Sequence, residues 1–243
     1  VAEHGKAYLK ATDFDTTMKL LINNAGIIEE GAVCVNCKKI RDIVKQLKQE
    51  SFTITKLDNE RTAIEFGNTK LMIDSKDVNE YPIIKDLTNV EKISIKKDEF
   101  LNAIKSVSHA IAKETHETLN LVFLHLKNNK LYTMATDKHR LALAEVAIED
   151  TKNEEKIIVI KDTSVKKIED YLEGKEFKGL EIIVLEDGEE HAKLRIAEDE
   201  LIVKKAKRIC PQYEVLFDEV GDKTLKVNRE EFLQALKYAF ISV

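Results

Sequence analysis

The sequence has no tryptophan, only two prolines and eight glycines in 243 residues, and three cysteines. Each shortage excludes something. No Gly-rich or Pro-rich tract is present, so domain joints must be short and built into the fold rather than carried by flexible linkers. An odd cysteine count does not make the disulfide framework of a small secreted protein, which points to a reducing cytoplasm. No apolar run approaches the roughly 18 residues of a membrane span, and no secretory signal opens the chain. An initiator methionine is also lacking, the sequence opening in mid-pattern at Val1-Ala2-Glu3; the expectation is a window on a longer chain.

What is present is a sizeable apolar fraction, 43%, beside 34% charged residues. The net charge is −5, from 39 basic and 44 acidic residues. Such a balance argues against a protein that coats nucleic acid by bulk charge. It leaves room for one that turns a basic face inward and an acidic face outward.

The chain repeats itself at domain length. Ile95-Lys96-Lys97-Asp98-Glu99-Phe100-Leu101-Asn102-Ala103-Ile104-Lys105 matches Val227-Asn228-Arg229-Glu230-Glu231-Phe232-Leu233-Gln234-Ala235-Leu236-Lys237, 132 residues later. Tyr8-Leu9-Lys10-Ala11-Thr12-Asp13 matches Tyr132-Thr133-Met134-Ala135-Thr136-Asp137 at an offset of 124. Lys39-Ile40 matches Lys167-Ile168 at 128, and the two prolines, Pro82 and Pro211, stand 129 apart. Four matches in one order at nearly one spacing mark a repeated domain rather than a short solenoid unit.

The middle copy reads as an α+β unit of antiparallel sheets and two helices. An amphipathic helix is predicted over Asp98 to Lys113, with Phe100, Leu101, Ile104, Val107 and Ile111 on one face. Strands are predicted over Leu121 to Leu126, Lys130 to Thr136, Ala142 to Ile148 and Lys156 to Ile160. A second helix runs from Thr163 to Leu172, capped by Asp162 or Thr163. Strands near Leu180 to Leu185, Ala192 to Ala197 and Glu200 to Lys205 close the unit. The expected boundaries are a first domain over 1–90 lacking its opening strand and helix, a complete second domain over 91–219, and the start of a third over 220–243. The helix of that third copy opens at Asn228-x-x-Glu231, resembling a capping box.

Met134-Ala135-Thr136-Asp137-Lys138-His139-Arg140-Leu141-Ala142 resembles the ATDGHRLA segment of the bacterial sliding clamp, the β subunit of DNA polymerase III. Asp42-Ile43-Val44-Lys45-Gln46-Leu47 is similar to the family's first-domain helix, and Glu80-Tyr81-Pro82 to the F-P position that closes that domain. The resemblance covers the whole chain. It implies the DNA-clamp fold, three similar domains per chain, and two chains closed head to tail around duplex DNA. It implies a processivity factor with no catalysis of its own and no cofactor. The implied partners are the polymerase α subunit, an ATP-driven clamp loader, and other proteins carrying a QLxLF-like peptide.

The same resemblance implies a peptide groove between the second and third domains. Leu119, Thr136, His139, Arg140, Leu141, Pro211, Val215 and Leu216 match its positions. Leucine and phenylalanine anchors need an apolar pocket, which Leu119, Leu141, Pro211 and Val215 can supply, with Thr136, His139 and Arg140 as a polar rim. Three departures stand out. Lys138 and Leu121 replace usual glycines, and Lys207-Arg208-Ile209-Cys210-Pro211 replaces a D-G-x-F-P pattern.

Lys38, Arg41, Lys45 and Lys48 recur at helical spacing and share one predicted face, opposite Ile40, Ile43, Val44 and Leu47. Lys105, Lys166 and Lys167 extend the basic set onto the helices of the second domain. Faces of this kind touch phosphates without reading bases; solvated helix faces look the same in sequence.

Other chemistry is poorly supported. Cys34-Val35-Asn36-Cys37 is a C-x-x-C between a strand and a helix, so a thiol–disulfide redox protein is the alternative from another class. No second C-x-x-C or paired histidines complete a zinc site. Asp137 and His139 beside Ser106 or Ser108 lack the nucleophile elbow and glycines of acyl-transfer enzymes. Glu186 to Glu190 reads as a charged hairpin turn, not a metal site. A repeat scaffold with no DNA role is the remaining alternative.

Overall fold

The structure, a computed structural model, describes residues 1–58, 60–82, 92–112, 120–148, 155–174, 182–218, 221 and 223–241. Val1–Arg208 form one compact unit and Ile209–Val243 a second. In the first unit the chain runs through β1 (Ala2–Glu3), β2 (Lys6–Thr12), β3 (Thr16–Leu21), β4 (Cys34–Val35), α1 (Cys37–Gln46), β5 (Thr53–Leu57), β6 (Arg61–Phe66) and β7 (Thr69–Lys76). A short 3-10 turn at Val78–Glu80 follows. Next come β8 (Lys92–Lys96), α2 (Lys97–Ser108), β9 (Leu121–Lys127), β10 (Lys130–Thr136), β11 (Leu141–Ala147), β12 (Lys156–Lys161), α3 (Asp162–Gly174), β13 (Ile182–Asp187), β14 (His191–Ile196) and β15 (Asp199–Lys204). The second unit holds α4 (Glu214–Asp218) and α5 (Arg229–Ile241).

Three antiparallel sheets result: β1-β2-β3-β15-β14-β13-β8, β11-β10-β9-β12 and β4-β7-β6-β5. Helices on antiparallel sheets make this the α+β class expected from the repeat. The main core lies in the middle copy. α2 packs on β11 and β10, α3 on β12 and β9, and the two helices touch. Phe100, Ile104, Leu124, Leu131, Ile158, Ile160, Ile168 and Ile183 are fully or almost fully buried in one cluster. α2 directs Phe100, Leu101, Ile104 and Val107 into it, as their spacing requires.

Within the second copy, two local expectations needed correction. The helix predicted to Lys113 stops at Ser108; Lys113 itself is outside the described residues. The next turn tightens, with the Ala110 and Ile111 N–H groups donating to the Val107 and Ser108 carbonyls, and Ile111 reaches the core from that turn. β9 is buried from Leu121 through Leu126, so a run predicted from alternation is covered on both faces. His125 sits in that run and is satisfied by Glu155 at 2.7 Å.

The seven-stranded sheet does not stop where the repeat does. β3 of the first copy pairs with β15 of the second, from Glu200↔Lys19 to Val203↔Thr16. Side chains reinforce this seam. Asp199 accepts from the Leu21 N–H at 2.7 Å and from the Tyr171 hydroxyl at 2.5 Å, tying β3, β15 and α3 together. Burial, and then the bond to Asp199, push the Tyr171 phenol well above its ordinary pKa. The Thr16 hydroxyl meets that of Ser164 at 2.8 Å, and Lys161 donates to Asp15 at 2.9 Å.

α1 is a contrast. It buries no residue, whereas its repeat counterpart α3 buries Val165, Ile168, Tyr171 and Leu172. Ile40, Ile43 and Leu47 are half-buried and Val44 is 41% exposed. Among the described residues, no helix packs on α1 as α2 packs on α3.

Candidate functional site

The matching segments at Thr12-Asp13 and Thr136-Asp137 build the same turn twice. In the second copy the Thr136 hydroxyl donates to the Arg140 carbonyl at 2.8 Å and accepts from the Lys138 N–H at 3.2 Å. The Asp137 carboxylate accepts from the His139 and Arg140 N–H groups, each at 3.0 Å. In the first copy the Thr12 hydroxyl donates to the Thr16 carbonyl at 3.2 Å and accepts from the Phe14 N–H at 3.1 Å. Asp13 accepts from the Thr16 N–H at 2.9 Å. Threonine and aspartate recur because each satisfies the turn's backbone.

The residue after each aspartate is left-handed: Phe14 at φ 72° and Lys138 at φ 76°. Lys138 thus holds the left-handed position of the second turn as Phe14 holds that of the first, and carries the strain of that conformation. A side chain in this region costs roughly 1–2 kcal/mol, partly offset by glycine's greater freedom when unfolded. Lys138→Gly is expected to raise stability by about 0.5–1 kcal/mol in urea titrations. An unchanged or lower midpoint would show that the turn is unstrained.

Burial alone would raise the Asp13 carboxyl, but the Lys167 ammonium and the Thr16 N–H outweigh it and hold its pKa below the ordinary value. Desolvation likewise opposes, and the Arg140 and His139 groups outweigh it, at Asp137. Both carboxylates thus support their turns above the unfolded carboxyl range, and the support is lost as pH falls through the lowered folded pKa.

Of the predicted groove residues, Thr136, His139, Arg140 and Leu141 come together at the β10–β11 turn. His139 is exposed, and Leu141 is half-buried opposite Thr136. Thr136 and Arg140 also hold the turn itself, the Arg140 guanidinium donating to Asp137 at 2.9 Å. Leu119 lies outside the described residues. Pro211, Val215 and Leu216 belong to the second unit, where the Pro211 carbonyl accepts from Tyr213 and the Tyr213 carbonyl from Leu216. Val215 and Leu216 are 55% and 63% exposed.

The basic set divides in the same way. The Asn36 side chain caps α1 by accepting from the Lys39 N–H at 3.1 Å. Lys38, Arg41 and Lys45 lie on that helix and are exposed. Lys48 does not share the helix as its spacing predicted: α1 ends at Gln46, and Leu47 is extended at ψ 130°. Arg41 leans on Asp42 at 3.3 Å. Lys38, Lys45 and Lys48 have no ionic partner among the described residues. On the second copy, Lys105 pairs with Glu173, Lys167 with Asp13, and Lys166 with Asp162 at 2.7 Å. Sequence reasoning missed Lys39, exposed on α1, and Phe14, 78% exposed on the first turn. The offset of 124 that aligned the two Thr-Asp pairs also aligns Phe14 with Lys138, and was the signal for it.

Cys34 ends up half-buried on β4 and Cys37 exposed as the first residue of α1, not joined to each other. Among the described residues no cluster of three or more His, Cys, Asp or Glu could hold a metal. Among them, too, no helix is long and apolar enough to cross a membrane.

Residues 1–85 match the family profile "DNA polymerase III beta subunit, N-terminal domain", and residues 94–211 match the profile of its central domain. The "Beta sliding clamp" of Rickettsia bellii is 25% identical over 248 residues, covering 100% of this chain and 64% of the relative. That of Halalkalibacterium halodurans is 26% identical over 199 residues, covering 77% and 52%. The chain thus spans about two thirds, or less, of the length of the curated relatives it matches. Among solved structures, the DNA polymerase sliding clamp from Bacillus subtilis superposes with a TM-score of 0.86 at 22% identity, over 98% of this chain and 64% of that one. The DNA polymerase III beta subunit from Thermotoga maritima gives a TM-score of 0.77 at 26% identity, over 90% and 58%. With both profiles in consecutive order on a doubled turn and a shared fold, the chain belongs to the DNA polymerase III beta subunit family, the sliding clamps.

Proposed function

We propose that the protein carrying this chain is a processivity factor that encircles duplex DNA and tethers the replicative polymerase, without a catalytic step or cofactor of its own. The domains run over 1–90, 91–219 and 220 onward, and two chains close into a homodimeric ring in the cytoplasm. The observation that carries this reading is the Thr-Asp turn built twice, once in each of two consecutive stretches that match the family's N-terminal and central domains.

The DNA-facing surface is α1 with Lys38, Arg41 and Lys45, then Lys48, and the second-copy lysines Lys105, Lys166 and Lys167. The partner groove is formed by Leu119, Thr136, His139, Arg140 and Leu141 with Pro211, Val215 and Leu216. It takes QLxLF-like peptides of the polymerase α subunit, the clamp loader and other partners. A DnaN sliding clamp from Pseudomonas aeruginosa has been crystallised bound to griselimycin, which supports ligand binding on this fold. Val215 and Leu216, exposed on α4, are apolar side chains of the kind such anchors seek.

The test is topological. The whole protein is loaded onto nicked circular DNA by a clamp loader, and the DNA is then linearised. A ring slides off the ends and is lost from the DNA fraction. Retention on linear DNA at physiological salt, where weak phosphate contacts are screened, would mean ordinary contacts, and failure to load at all would favour a scaffold without a DNA role. Cys34→Ser with Cys37→Ser should load as the parent does; loss of loading would bring the thiol reading back.

A further inference from the structure

We infer that the phosphate contact of this clamp is concentrated on α1 and the residues just after it, while α2 and α3 of the second copy form a self-neutralised wall that contributes little. The inference rests on the DNA-encircling reading and assigns an asymmetry within it. Over residues 36–48 five cations, Lys38, Lys39, Arg41, Lys45 and Lys48, face a single carboxylate, Asp42. α2 carries Lys97 and Lys105 against Asp98 and Glu99. α3 carries Lys166 and Lys167 against Asp162, Glu169, Asp170 and Glu173. Four of the five cations lie on α1 itself, so the three helices are basic, neutral and acidic in turn, although sequence spacing had placed lysines from all of them in one class.

Pairing deepens the difference. Each second-copy lysine in the basic set already has a carboxylate on it: Lys105 has Glu173, Lys166 has Asp162, and Lys167 has Asp13. Glu169 adds a further negative group between the helices, accepting from the Ser108 hydroxyl at 2.6 Å. For these lysines, touching a phosphate means exchanging one anion for another while the abandoned carboxylate repels the strand. Exposed pairs are weak in themselves, so it is the net charge of the surface that decides. A lysine that keeps its own counterion releases few ions from DNA and adds little to the salt dependence. Lys38, Lys39, Lys45 and Lys48 have no carboxylate among the described residues and meet a phosphate without that cost.

The experiment titrates this chain with a labelled linear duplex by fluorescence anisotropy across a series of salt concentrations. Lys38→Gln with Lys45→Gln should lower the slope of log K against log salt by about 1.8, near 0.9 per lost contact. Both side chains are exposed and have no ionic partner among the described residues, so the fold is not at stake. Lys166→Gln with Lys167→Gln should change the slope by well under one. Asp162→Asn with Glu173→Gln, which frees Lys166 and Lys105, should steepen it. An equal or greater loss from the Lys166/Lys167 variant than from the Lys38/Lys45 variant would overturn the asymmetry while leaving DNA binding standing. No binding by the parent chain at the lowest salt would overturn the inference, since no phosphate contact would exist to be concentrated, while the encircling reading stands or falls separately on the loading test.

Discussion

Phe100→Ala is expected to cost about 3–5 kcal/mol of unfolding free energy, the largest effect of any single truncation in this chain. Phe100 is fully buried where α2 enters the core between the sheets and α3. Removing its ring discards the transfer energy of a large apolar group and leaves a cavity that rigid sheet walls cannot close. Phe232 makes an internal control. It occupies the same place in the repeat, 132 residues later, but is 46% exposed on α5. Phe232→Ala should cost under about 1 kcal/mol in this chain, since the side chain gives up little burial. Urea unfolding of the two variants decides the matter. Equal losses would mean that sequence position, and not burial, sets the cost, and the core described around α2 would be wrong.

The second large effect is expected at the seam. Asp199→Ala should lower stability by about 2–4 kcal/mol, because two donors, the Leu21 N–H and the Tyr171 hydroxyl, lose their shared acceptor. Asp199 is 2% exposed, so water does not readily replace it. Asp199→Asn keeps one acceptor oxygen and should cost less than half as much. Amide exchange adds a readout that a general loss of stability would not move: protection should fall first at Leu21 and its β3 neighbours. If exchange speeds up uniformly instead, Asp199 is not a specific tie between the copies.

Much of this molecule was legible in its sequence. The repeat located α2, α3 and the strands of the second copy, because a complete copy buries its apolar residues at helical or strand spacing. The family resemblance stood on the Thr-Asp turn, where the side chains themselves form the backbone bonds and so cannot vary freely. The end of α2 was not legible: Ile111 continues the helical pattern but reaches the core from a tightened turn, and periodicity does not distinguish the two. Nor was the end of α1, where Lys48 falls in step with a helix that has stopped at Gln46. Spacing also said nothing of counterions. Lys105, Lys166 and Lys167 look like Lys38 and Lys45 in one dimension, and only the fold brings Glu173 and Asp13 against them. The pairing of β3 with β15 was equally hidden, since no local signal specifies a partner some 180 residues away.

That pairing bears on how such a chain can change over time. Main-chain bonds between strands ask for an extended backbone and an N–H group, and beyond excluding proline they do not themselves select a side chain. A boundary held by β3 and β15 can therefore drift widely in sequence while its geometry is inherited almost intact. Selection is left to watch the buried points, Asp199, Thr16, Leu201 and Val203 among them, and the more exposed positions of the joint are free to answer to other needs.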